Sequence, residues 1–160
     1  MKRAVISALL LLMPLYWLRA QSSPGRYEQV ALNFFVKKIL PEYGFGLAFC
    51  GEISPRLSQF SYMPSCFAPA DFAFRDQLNR TATNAGAGQS VALTWTSPQL
   101  KRGCRVRRKQ PLLEVFTATA LNGVYYVLLY TRGRHGATHY MFEISKEEHV
   151  VRWCQKSEVF

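Results

Sequence analysis

Six cations fall within nine residues at Lys101-Arg102-Gly103-Cys104-Arg105-Val106-Arg107-Arg108-Lys109. The chemistry open to them is recognition of anions, because a guanidinium fork takes sulfate, phosphate or carboxylate through paired charge-assisted hydrogen bonds. Extended backbone would set Arg105, Arg107 and Lys109 on one face at intervals of about 6–7 Å. Two other readings compete. Basic residues also guard a solvated edge strand against edge-to-edge pairing. And Arg105-Val106-Arg107-Arg108 matches the R-x-R-R pattern that secretory-pathway convertases cleave.

Other reactive residues are sparse. His135 and His139 lie four apart, with Glu143 and His149 nearby, a spacing that aligns two metal ligands on a helix. Gly136 between them indicates a turn, so no metal site is expected. The chain holds no G-x-S-x-G, no H-E-x-x-H, no phosphate-cradling glycine loop and no dinucleotide fingerprint. Glu52, Asp71, Asp76 and Glu114 are scattered without visible pairing. These absences point to a binding protein with no catalytic residues and no cofactor.

The compartment is read from the first residues. Met1-Lys2-Arg3 precedes an apolar run of 14 residues, Ala4 to Trp17, and Ala20 supplies a small residue at its exit. That describes a secretory signal peptide over residues 1–20, since a membrane span needs about 20 apolar residues. The remainder, 21–160, is long enough for one domain with its own core. The 20 basic residues lose Lys2, Arg3 and Arg19 with the leader, so 17 remain against 10 acidic, a net of +7. A secreted chain of that charge is drawn to sulfated polysaccharide of the heparin type, an anionic surface or an acidic protein. Nucleic acid is not an expected partner outside the cell, and no later segment reads as transmembrane.

Cys50, Cys66, Cys104 and Cys154 all follow the leader, and an even count in an oxidising compartment implies two disulfides. The expected pairing is Cys50–Cys66 and Cys104–Cys154. Asn79-Arg80-Thr81 is an acceptor sequon for N-glycosylation, expected in an exposed loop because small polar residues follow it.

The elements that position these residues are read from periodicity. Ser23-Pro24-Gly25 and RYEQVALNFFVKKIL predict a helix that stops before Pro41, with Arg26, Gln29, Asn33 and Lys37 as its solvated stripe. Phe45 to Ile53 predicts a first strand. Ser54 to Phe74, rich in proline and aromatics, predicts an ordered loop burying Phe60, Tyr62, Phe67, Phe72 and Phe74. Ser90 to Thr96 predicts another strand. Leu112 to Cys154 predicts an antiparallel meander, turned at Asn122-Gly123 and again at Arg132 to Gly136. Ser145-x-x-Glu148 resembles a capping box, yet Val150-Val151 and Trp153 favour a last strand.

Helix first, then a sheet that wraps it, with RYEQVALNFF, FGLAFCGEIS, YYVLLYTRG and EHVVRWCQ as the carrying residues, resembles the cystatin superfamily, which includes cathelicidin pro-domains, chemerin and latexin-like proteins. The resemblance implies an α+β domain, an N-terminal helix packed on an antiparallel β-sheet, and binding in extracellular defence or signalling. It does not imply cysteine-protease inhibition: Gln89-Ser90-Val91-Ala92-Leu93 ends in Leu where that hairpin needs Gly, and Arg152, not proline, precedes Trp153. The alternative architecture is a lipocalin-like β-barrel, which would carry a small hydrophobic ligand.

Overall fold

The computed structural model describes residues 25–56, 60, 72–85, 90–107 and 110–160. The expected leader lies outside them, as do Cys66, Tyr62, Phe67, Arg108 and Lys109. Among the described residues no helix is long and apolar enough to cross a membrane.

Helix α1 begins as Arg26–Phe34 and runs on through a wider turn, Phe35–Ile39, into a tight turn, Leu40–Glu42. Gly25, at φ 91°, is its N-cap, and its carbonyl accepts the first helical bond from the Gln29 N–H. Pro41 has no N–H and its ring crowds the preceding turn, so the α-helical ladder does not pass through it. Arg26, Asn33 and Lys37 face solvent as expected. Tyr27, Ala31, Leu32, Phe35 and Ile39 are buried against the sheet, where Phe35 meets Tyr140 edge-on at 5.1 Å.

The strands are β1 Leu47–Ile53, β2 Leu100–Arg102, β3 Leu112–Val115, β4 Thr119–Leu121, β5 Val124–Arg132, β6 Gly136–Ile144 and β7 Val150–Val159. They form one sheet in the order β2-β1-β3-β5-β6-β7, with β4 also on β5. β3 and β4 lie in line along β5, and Phe116 to Ala118 interrupts them. The β4–β5 reversal is the expected Asn-Gly turn: Asn122 and Gly123 both take positive φ, 52° and 81°. Ser145 to Glu148 is likewise a turn and not a helix, closed by the Glu148 N–H on the Ser145 carbonyl, and it leads into β7.

Several expectations are corrected. The sheet is mixed, not antiparallel, because β1 pairs parallel with both β2 and β3. It is open, not a closed barrel, and α1 side chains pack against one of its faces. This overturns the lipocalin-like β-barrel as the architecture. Ser90 to Thr96 is not a strand: only Ala92 bridges Glu52. Its Trp95 instead packs on Phe49 at 5.1 Å and donates its Nε1–H to the Leu100 carbonyl.

The region read as loop contains a second helix, α2, Phe72–Ala85. Its Phe74, Leu78 and Ala82 recur every four residues, so they share one face. They pack with Phe60, Phe116, Leu121, Tyr126, Leu128 and Met141 on the sheet surface opposite α1. Both sheet faces are thus covered by helices, which accounts for strands apolar on both sides.

The disulfide expectation also changes. Cys50 pairs with Cys104, not Cys66, across a Cα separation of 4.5 Å. Cys154 is disulfide-bonded as well, with a partner outside the described residues. Cys50 and Cys104 meet because β1 and β2 are parallel neighbours, a pairing between segments 54 residues apart that no local pattern announces.

Candidate functional site

The parallel placement of β2 and β3 on either side of β1 dictates how the basic run is displayed. A chain leaving β2 must return to the start of β3, which lies across β1, and it does so between Gly103 and Pro111. The crossing is tethered at both ends. The Gly103 N–H donates to the Phe49 carbonyl at 2.9 Å, and the Ala48 N–H donates to the Pro111 carbonyl at 2.8 Å. In between, the Cys50–Cys104 bond fastens the crossover to β1. Gly103 lies close over Ala48; a Cβ there would sit 3.6 Å from the alanine Cβ.

On this frame Lys101, Arg102, Arg105 and Arg107 are all exposed. They do not form one extended ladder. Lys101 and Arg102 end the edge strand β2, the chain bends at Cys104 and Arg105, and Arg107 exchanges both backbone bonds with Gln110 at 3.1 Å in a tight reversal. Arg108 and Lys109, the two remaining candidates, fall between these bridged residues and outside the described set. The cations therefore lie along a bent rim, with Leu100 buried at its start as the anchor.

The rim borders an open cleft of about 620 Å³. Lys101 and Arg107 stand on it, and Tyr43, Phe45, Gly46, Gln99 and Gln110 line the rest. Gly46 permits the close approach that shapes it, since a Cβ there would lie 2.9 Å from the Gln99 carbonyl oxygen. Gln99 and Gln110 donate their side-chain amides to the Tyr43 and Leu47 carbonyls, both at 3.3 Å, so the cleft wall is stitched to the backbone. Phe45 is 48% exposed, unusual for so large an apolar ring, and Tyr43 packs edge-on against it at 5.2 Å while its hydroxyl bonds that of Tyr140. Burial pushes the Tyr43 hydroxyl pKa above its ordinary value, so it stays neutral. The arrangement offers cations beside an aromatic floor.

No family model, curated protein or solved structure gives a significant match to this chain.

The other sequence candidates are dispersed. His135 is exposed in the β5–β6 turn, His149 is exposed before β7, and His139 is buried on β6 against Tyr130. Burial lowers the His139 pKa, with Glu158, 3.7 Å away, opposing. Among the described residues no group of three or more His, Cys, Asp or Glu could hold a metal ion. Asn79 sits within α2, half-buried, and its Oδ1 accepts the Phe60 N–H at 2.8 Å. The sequon is therefore helical and not the expected loop.

Sequence reasoning missed Tyr43, Phe45, Gly46, Gln99 and Gln110 as cleft residues. The signal present was Gly44-Phe45-Gly46, where glycines flank an aromatic between helix and strand; the reading placed Phe45 inside the strand, which begins at Leu47.

Proposed function

We propose that this is a secreted, non-catalytic binding protein that holds anionic extracellular partners on the Lys101–Lys109 rim. One observation carries the reading: Lys101 and Arg102 at the end of β2, and Arg105 and Arg107 on the disulfide-fastened crossover that follows it, are all exposed, and Lys101 and Arg107 border an aromatic-floored cleft. Pre-organising the backbone lowers the entropy lost on binding, which flexible surface lysines would otherwise surrender. Exposed charge pairs are individually weak, roughly 0.2–1 kcal/mol each, so the rim acts collectively and its affinity falls with salt. Secretion draws support from the leader-like residues 1–20 and from the oxidised Cys50 and Cys104. Within the α+β class, the helix-first order is the feature that agrees with the cystatin-superfamily resemblance, and extracellular defence or signalling follows from that resemblance. Glycosylation of Asn79 belongs to the same reading. A glycan attaches through Nδ2, so the Oδ1 bond to Phe60 survives it.

The test is elution from immobilised heparin. A variant with Lys101, Arg102, Arg105 and Arg107 replaced by alanine is compared with one lacking the exposed Lys37, Lys38, Arg134 and Lys146, which has the same net charge. The rim variant is expected to elute at distinctly lower salt than this control. Coincident elution of the two would leave only net charge and end the proposal.

A further inference from the structure

Two clefts meet at Phe45, and their charges differ. Tyr43, Gly44 and Phe45 line both. The larger, of about 620 Å³, has Lys101 and Arg107 on its wall and, among the described residues, no carboxylate. Its neighbour, of about 370 Å³, has Glu42 and, among the described residues, neither lysine nor arginine. Arg26, Arg56 and Arg152 are each held by a glutamate, whereas Lys101 and Arg107 make no salt bridge among the described residues. Their charge is therefore open to a ligand.

The floor shared by the two clefts is aromatic and fixed. The Tyr43 hydroxyl bonds that of Tyr140, and its ring also packs on Phe35 at 6.2 Å. The Tyr43 and Phe45 rings stand 87° apart at 5.2 Å between centroids. Phe45 keeps nearly half of its surface exposed, so one ring remains free to stack. An incoming ring gains attraction from such a pair beyond the area it buries, and more from a cation beside its face.

We propose that the larger cleft seats an aromatic anion, the side chain of a sulfated tyrosine on an acidic segment of another extracellular protein. This rests on the anion-binding reading of the rim and narrows it to one partner chemistry. The sulfate takes Lys101 and Arg107 through charge-assisted hydrogen bonds, while the ring covers Phe45. The charge pattern favours such a segment over a sulfated polysaccharide. A chain of sulfated sugars is anionic along its length, and on crossing Phe45 it meets the Glu42 carboxylate. A peptide can set its anion on one side of Phe45 and a neutral or basic residue on the other. The rim also favours a segment over a free aryl sulfate. Arg102 and Arg105 are exposed on it without lining the cleft, so only a longer ligand with further acidic residues meets them.

The test is fluorescence anisotropy on the full secreted chain, with labelled peptides of one acidic sequence whose central residue is sulfotyrosine, sulfoserine or tyrosine. Sulfoserine keeps the anion and removes the ring; tyrosine keeps the ring and removes the anion. The sulfotyrosine peptide is expected to bind about tenfold more tightly than either. Phe45→Ala should erase its advantage over sulfoserine, with an unchanged melting temperature as the folding control. Lys101→Ala with Arg107→Ala should erase its advantage over tyrosine. Equal affinity for sulfotyrosine and sulfoserine, in a chain that heparin still retains longer than its rim variant, would overturn this inference and leave the rim reading standing. Coincident heparin elution of the rim variant and its charge-matched control would end both. Free sulfotyrosine binding as tightly as the peptide would make the ligand a small molecule and overturn the protein partner. A short heparin oligosaccharide that loses as much affinity to Phe45→Ala as the peptide does would give the floor to a sugar ring, and overturn it equally.

Discussion

Replacing Glu28 tests how α1 is joined to the sheet. Glu28 is 4% exposed and sits in the first turn of α1, where a carboxylate is favoured by the unpaired amides at a helix start. Its Oε1 accepts the Ala118 N–H at 2.7 Å, at the interruption between β3 and β4 where the ladder to β5 lapses. Glu28→Ala removes the carboxyl acceptor and strands the half-buried Ala118 N–H, together costing about 2–4 kcal/mol. For a chain of this size each kcal/mol lowers the melting temperature by roughly 2–4 °C, so a loss of about 3 kcal/mol appears as roughly 6–12 °C. Glu28→Gln keeps an acceptor oxygen for the Ala118 N–H, so its cost should stay below about 1 kcal/mol. Urea unfolding followed by circular dichroism measures both, and an unchanged m-value licenses the comparison. Equal losses for the two variants, or a loss under about 1 kcal/mol for Glu28→Ala, would refute the argument that an amide acceptor is what this position supplies.

Other outcomes follow from the same structure. His139 is held below the ordinary histidine value of 6.5 by burial, so the unfolded chain takes up its proton more readily. The associated stability is complete above pH 6.5 and is lost as pH falls below it; His139→Gln should flatten that part of a stability–pH curve. Tyr126 is pushed up to about 12, chiefly by burial and secondarily by the Glu143 carboxylate. Its stability contribution is present below pH 10 and is lost as pH rises toward 12, a decline that Tyr126→Phe should remove without altering the acid side. Cys50→Ser with Cys104→Ser releases a loop spanning 54 residues and should destabilise by about 4 kcal/mol on the chain-entropy estimate. If the crossover presents the rim, the same variant, assayed below its melting temperature, should also elute earlier from heparin. Leu78→Ala, at the centre of the α2 contact, should cost about 2–5 kcal/mol by leaving a cavity, measurable by the same urea unfolding; a loss under about 1 kcal/mol would mean α2 is not packed as described.

Local chemistry alone was enough for part of this molecule. Alternation through Leu112 to Ile144, with Asn122-Gly123 needing positive φ at both positions, determines a hairpin whatever surrounds it. The helical stripe of Arg26, Asn33 and Lys37 determines which side of α1 meets water, and the density of Lys101 to Lys109 marks a charged segment in any fold. Those features depend on neighbours within a few residues.

Tertiary structure decided what depends on distant segments. The Phe74, Leu78 and Ala82 stripe becomes a helix face once an apolar sheet surface is there to cover it, and without that surface the small polar residues that follow read as loop. The parallel setting of β2 and β3 around β1 chose the partner of Cys50 and bent the basic run into a rim. It also brought Phe45 and Gln99, far apart in the chain, to the same cleft. Parallel pairing is specified by burial of both sheet faces and by crossover length, which are properties of the assembled layers. The residues of Lys101 to Lys109 carry the charge by themselves; only the crossover over β1 gives that charge a shape.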